Sequence, residues 1–212
     1  TEDDFFHEGH TMIRVLLADD ENLIRVALGT MLDLEDDIEV VGHADSGEAA
    51  VTEAERTTPD VAVLDLQLGG IDGIETAQRI AAMLPDCRSI IVTSHGRPGY
   101  LKKALSAGVG GFLPKTTSAA TLAEVVRTVA RGGRHVDPSL AAEAIGAGDS
   151  PLTPREADVL EFAADGASIA EIAQRAHLSP GTTRNYLSAA ATKLGAANRH
   201  EACATARRHG WI

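Results

Sequence analysis

The chain is poor in aromatic residues, at 3%, and in cysteine, with two in 212 residues. Cys87 and Cys203 stand too far apart for the close spacing of a structural metal site, and two lone thiols make no disulfide framework. Reduced thiols in a cytoplasmic protein are the expectation. Long apolar runs are missing as well. None approaches the ~20 residues that a membrane helix needs, so no membrane partner is expected. The first ten residues hold four acids and no lysine or arginine, unlike the basic start of a secretory signal. Positive charge is scarce throughout, with a formal net charge of −12, which argues against nucleic acid until the charges are located. Residues 151–212 carry six acids against seven bases and are the only segment that is not acidic. Their bases can still gather on one face.

What is present begins after a stretch without periodicity, "TEDDFFHEGHT", expected to be a disordered leader over residues 1–11. From Ile13 two patterns alternate. Apolar runs at 13–18, 38–44, 60–65, 89–94 and 110–114 read as buried strands. Helical spacing marks 22–34, 46–57, 72–84, 98–107 and 118–133. In 22–34 the apolar positions are Leu23, Val26, Ala27, Met31 and Leu34. Ser46 and Ser118 stand as helix caps, while Gly108 and Pro85 close their helices. Five such units predict an α/β fold, a doubly wound five-stranded parallel sheet with helices on both faces. Small residues over 135–150, ending in a Gly/Asp/Ser cluster, suggest a linker. Four helices at 153–164, 168–176, 180–194 and 198–208 then predict a small all-α domain over 151–212.

In doubly wound sheets ligands gather at the carboxyl ends of the strands. Asp19 and Asp20 end the first strand and Asp65 ends the third. Carboxylates brought so close repel unless a cation joins them. Hard oxygens at an open site suit Mg²⁺, which keeps several waters and accepts phosphate oxygens. Thr93 brings a hydroxyl to the end of the fourth strand, and Lys115 an ammonium after the fifth. Such groups can offset charge on a phosphoryl group during in-line transfer. The plainer alternative is that strand-end aspartates merely cap the helices that follow.

With these residues in place, the segment from residue 12 to 134 resembles the receiver domain of bacterial two-component response regulators, with its flavodoxin/CheY-like fold. The marks are the Asp19–Asp20 pair, Asp65, Thr93, Lys115, the "GGIDG" loop, and Phe112 three residues before the lysine. The resemblance implies that Asp65 is the phosphoacceptor. It implies that Asp20 and Asp65 ligate Mg²⁺, that Asp19 assists through water, and that the Gln67 carbonyl completes the site. Thr93 and Phe112 would sense the phosphoryl group and Lys115 would pair with it, although Phe112 also reads as ordinary core. Gly69 and Thr116 stand where many receivers have proline, which touches switching kinetics rather than any ligand.

Further along, Thr153, Pro154 and Glu156 form the pattern of a capping box with proline at the first helical position. "SIAEIAQRAHLSPGTTRNYL" carries two helices joined by a short turn at His177–Ser179, the helix-turn-helix plan. The second helix offers Thr182, Thr183, Arg184, Asn185 and Ser188 near its start, where recognition helices meet the major groove. Arg184 can fork to guanine and Asn185 can pair with adenine. Lys193 and Arg199 suit phosphates. A generic helical bundle with a solvated polar face is the alternative. "LTPRE", "EIA", "LSPGTTRNYL", "KLG" and "NRHEA" are similar to the LuxR-type DNA-binding domain. The whole resembles the NarL/FixJ class, and "TSHGRPGY" with the ending "GWI" is similar to its DesR-like subgroup.

This resemblance implies a transcription regulator rather than an enzyme. A sensor histidine kinase would phosphorylate Asp65, and the phosphorylated homodimer would bind double-stranded DNA. RNA polymerase is a further candidate partner. Two other readings stay open. A Mg²⁺-dependent phosphatase would use Asp65 as nucleophile, but Gln67 occupies the place of its usual second acid. A phosphorylation-independent regulator or interaction module could keep the same fold.

Overall fold

The computed structural model describes residues 12–94, 98–146, 150–209 and 211–212; the leader expected over residues 1–11 lies outside them. Strand and helix alternate through β1 (Ile13–Ala18), α1 (Asn22–Leu32), β2 (Ile38–Ala44), α2 (Gly47–Thr57) and β3 (Val61–Asp65). They continue through α3 (Gly73–Met83), β4 (Arg88–Thr93), α4 (Pro98–Ser106), β5 (Gly111–Pro114) and α5 (Ala119–Ala130). Two short elements follow, β6 (His135–Val136) and α6 (Pro138–Gly146). The sheet is parallel throughout, in the order β2-β1-β3-β4-β5-β6.

Period-two alternation sorts each strand between two cores. Val15, Val61, Val63, Ile90 and Val92 point to a layer shared with Leu32 of α1 and Leu122, Val125 and Val129 of α5. Leu16, Ala62, Leu64 and Ile91 point the other way, toward Ala50, Ile74, Ile80, Leu101 and Leu140 on the opposite helices. Both faces of β3 are therefore covered, which is why that strand is apolar from end to end. Each large aliphatic side chain so buried contributes roughly 1.5–3 kcal/mol.

Two expectations change. The sheet has six strands, not five, because His135 N–H donates to the Gly110 carbonyl (2.9 Å) and Asp137 N–H to the Phe112 carbonyl (3.1 Å). The segment expected as a linker over 135–150 is thus folded at its start. Asp137 Oδ1 accepts from Ser139 N–H at 2.9 Å at the head of α6, and Leu140 is buried in the same core as Phe112. On α1 the apolar residues Leu23, Val26 and Met31 are 81%, 52% and 46% exposed, and Leu34 just beyond it is 78% exposed, while Leu28 and Leu32 serve the core.

The remaining helices, α7 (Pro154–Ala164), α8 (Ile169–Arg175), α9 (Pro180–Lys193) and α10 (Arg199–Arg208), close on a core of their own around Val159, Leu160, Ile172, Leu187 and Ala190. Capping boxes start α7, with Thr153 and Glu156, and α8, with Ser168 and Glu171. Among the described residues no helix is long and apolar enough to cross a membrane.

Candidate functional site

Chain order reverses between β1 and β3, which lie side by side although β2 comes between them in sequence. The crevice at their carboxyl ends is where a doubly wound sheet binds its ligand. Asp65 is the last residue of β3 and is 5% exposed. Its Oδ2 accepts from Lys115 Nζ at 2.9 Å and its Oδ1 from Gln67 N–H at 3.2 Å. The Lys115 ammonium also lies 2.9 Å from Asp19 Oδ2 and 2.9 Å from Glu21 Oε1. Its three donors thus have three carboxylates to meet. Lys115 is positioned by its own backbone, whose N–H donates to the Thr93 carbonyl at 2.8 Å. A Cβ on Gly73 would sit 2.1 Å from the Asp65 carbonyl oxygen, so glycine is what lets α3 begin against the end of β3. Gly69 is also held, its carbonyl accepting from Gly47 N–H at 3.3 Å.

Burial pushes the Asp65 carboxyl up to about 6, against the charge and hydrogen bond of Lys115. Asp19 is also raised by burial, again opposed by Lys115. For Lys115 burial acts downward, but the Asp65 charge and the bonds to Asp19, Asp65 and Glu21 outweigh it and leave the ammonium above its ordinary value. The pocket is therefore a compensated charge cluster in which burial still disfavours ionisation of Asp19 and Asp65.

Carboxylate oxygens of Asp19, Asp20 and Glu21 come within 4.8 Å of one another. That donor set of hard oxygens fits Mg²⁺. Asp65 is tied to this trio through Lys115 rather than standing within it, and Glu21 joins although the expected set omitted it. The signal was an acid directly after the Asp19–Asp20 pair. Thr93 is buried at the end of β4, and Phe112 is buried among Tyr100, Leu101 and Leu140.

In the helical half, Ser179 caps α9, and the turn before it places His177 at φ 53°, a left-handed conformation that is uncommon outside glycine and asparagine. Thr182, Arg184, Asn185 and Ser188 are exposed along the first turns of α9. Thr183 departs from the expected DNA-facing set. It is fully buried and its hydroxyl donates to the Ser179 carbonyl at 3.0 Å. Lys193 Nζ lies 2.7 Å from Glu156 Oε2, and Arg199 Nη1 donates to the Ala167 carbonyl at 3.0 Å, so both already serve the fold.

The halves also meet. His177 Nε2 lies 2.9 Å from Asp20 Oδ2, and the hydroxyl of Tyr100 in α4 donates to Asp158 in α7. Neither contact was foreseen, because residues 157 or 58 positions apart leave no local pattern.

Residues 15–127 match the response regulator receiver domain family, and residues 150–206 match the bacterial regulatory proteins of the luxR family. The transcriptional regulatory protein DesR of Bacillus subtilis (strain 168) is 40% identical over 201 residues, covering 95% of this chain and 100% of DesR. The response regulator RamR of Streptomyces coelicolor is 38% identical over 202 residues, covering 94% of this chain and 98% of RamR. The crystal structure of the response regulator ChrA, from a heme-sensing two-component system, superposes with a TM-score of 0.55 at 30% identity, over 95% of this chain and 99% of ChrA.

Proposed function

This chain belongs to the response regulators that join a receiver domain to a LuxR-type DNA-binding domain, and we propose on that basis that phosphorylation of Asp65 by a sensor histidine kinase switches its binding to double-stranded DNA. The receiver domain spans residues 12–134 and the DNA-binding domain residues 151–212, with β6 and α6 at the junction. One observation carries the reading: Lys115 Nζ stands 2.9 Å from each of Asp19, Glu21 and Asp65 at the carboxyl ends of β1 and β3.

An Asp65 carboxylate oxygen attacks phosphorus in line, the bond from phosphorus to the donor nitrogen breaks, and that nitrogen leaves with its electron pair and takes up a proton. Lys115 and the Thr93 hydroxyl meet the charge on the transferred oxygens. Mg²⁺ drawn to the converging oxygens of Asp19, Asp20 and Glu21, with Asp65 and the Gln67 carbonyl as its further ligands, would supply the remaining electrostatic stabilisation when bound. Phosphorylation adds about −1.5 to −2 charges at neutral pH. Thr93 moves toward that charge, Phe112 follows, and α4 repacks above them. Arg184, Asn185, Thr182 and Ser188 read the groove. The regulator acts in the cytoplasm, where its DNA and kinase are found.

The exposed apolar side chains of α1, led by Leu23 and Val26 one turn apart, favour a homodimer through this helix, since grouped apolar side chains left in water suit a protein interface. Light scattering with size exclusion tests the switch. Treatment with beryllofluoride and Mg²⁺ is expected to turn the monomer into a dimer, and Leu23→Asp with Val26→Asp to keep it monomeric. A monomer under both conditions contradicts the dimer.

A further inference from the structure

A cavity of about 630 Å³ lies between the two halves. Asp20, Asp65 and Lys115 line one side, while Gln174, Arg175 and His177 of the helical half line the other. The side chain that crosses it is His177, with Nε2 2.9 Å from Asp20 Oδ2. We propose that the DNA-binding half and the divalent cation compete for Asp20, so that His177 keeps the acidic pocket closed and loading of the cation releases it. The inference rests on the reading that Asp20 is a cation ligand.

Three features support it. First, the residue that takes the imidazole, Asp20, is one of the three acids whose oxygens converge for a cation. An imidazole 2.9 Å from this carboxylate and a hydrated divalent ion drawn to it compete for the same group. Second, the turn that presents His177 to Asp20 is well fixed. Its backbone is held at φ 53°, and its neighbours are fixed: Ala176 is 1% exposed and Leu178 N–H donates to the Ala173 carbonyl at 2.8 Å. The imidazole is thus presented to Asp20 by a turn packed on α8, so the contact ties the helical half to the pocket. Third, a second contact holds the same closed arrangement away from the pocket. Tyr100 of α4, 2% exposed, donates its hydroxyl to Asp158 of α7, 0% exposed.

What the helical half faces is the pocket of the phosphoacceptor, while the reading surface is left free: Thr182, Arg184, Asn185 and Ser188 stay exposed on α9. Closure thus acts on access to Asp65, and cation loading precedes phosphoryl transfer by opening that access. Linkage makes the competition reciprocal: the factor by which closure weakens cation binding is the factor by which the cation weakens closure, so loosening closure tightens cation binding.

The test is calorimetric titration of Mg²⁺ into the full chain and into two variants, with the radius of gyration followed by small-angle X-ray scattering. His177→Asn removes the contact with a residue that accepts a left-handed turn, and Tyr100→Phe loosens the closed form without touching the pocket. Both variants are expected to bind Mg²⁺ about fivefold or more tightly than the parent, and Mg²⁺ is expected to expand the parent. Equal affinity in all three proteins, with no expansion, overturns the competition and leaves the cation site standing. No Mg²⁺ binding by any of the three overturns that site as well.

Discussion

Asp65→Asn abolishes covalent labelling by a small phosphoryl donor in the presence of Mg²⁺. The amide has no carboxylate oxygen to attack phosphorus, and the neighbouring acids do not replace it. Asp19 is itself buried and engaged with Lys115, while Asp20 and Glu21 stand on a different loop. Undiminished labelling of the variant would place the acceptor elsewhere. The same residue sets a pH signature. Its carboxyl is raised from 3.8 to about 6, chiefly by burial. A raised acid adds stability that is complete below the unfolded value of 3.8 and is lost as pH rises through about 6. At neutral pH without metal the ionised group therefore costs the fold up to about 3 kcal/mol, from roughly 1.36 kcal/mol per pK unit. Asp65→Asn accordingly melts higher than the parent at pH 7 in chelator, and the gap closes toward pH 4. Mg²⁺ favours the ionised form, so labelling of the parent falls off at or below about pH 6.

Arg184→Ala weakens specific DNA binding by about 1–3 kcal/mol, the range for a bidentate contact to a guanine edge. Arg184 is exposed one turn into α9 and makes no ion pair among the described residues, so its guanidinium is available to a ligand. Replacing Lys193 behaves differently. Its ammonium lies 2.7 Å from Glu156, the buried member of the Thr153 capping box, so its loss lowers the stability of the helical half before it touches affinity. Binding by the parent weakens as salt rises, because phosphate contacts release counterions. An unchanged affinity for Arg184→Ala on a selected site removes Arg184 from the reading surface.

The strands that build the pocket were legible because each must satisfy two covered faces, and an unbroken apolar run ending in aspartate records both facts. Caps were legible for a similar local reason: Ser46, Ser118, Thr153 and Ser179 all accept from the backbone N–H three residues on. Longer-range facts left weaker traces. β6 is two residues long, too short to display a period, and is defined by its pairing with β5. On α1 every apolar residue fits a helix, but spacing alone does not say which stripe faces the core, and the outward stripe carries Leu23 and Val26. The same ambiguity on α9 sends Thr183 inward while Thr182 and Arg184 stay exposed. Lys115 was legible as a partner for Asp65, whereas its bond to Glu21, 94 residues away, was not.

The most direct measurement is the affinity of the full chain for one selected DNA site, taken before and after treatment with a phosphoryl donor and Mg²⁺, alongside Asp65→Asn under the same treatment. A switch gives tighter binding by the treated parent and no change in the variant. Equal affinity for the treated and untreated parent, with Asp65 shown by mass to carry phosphate, would mean that the acidic pocket does not govern the DNA-binding half.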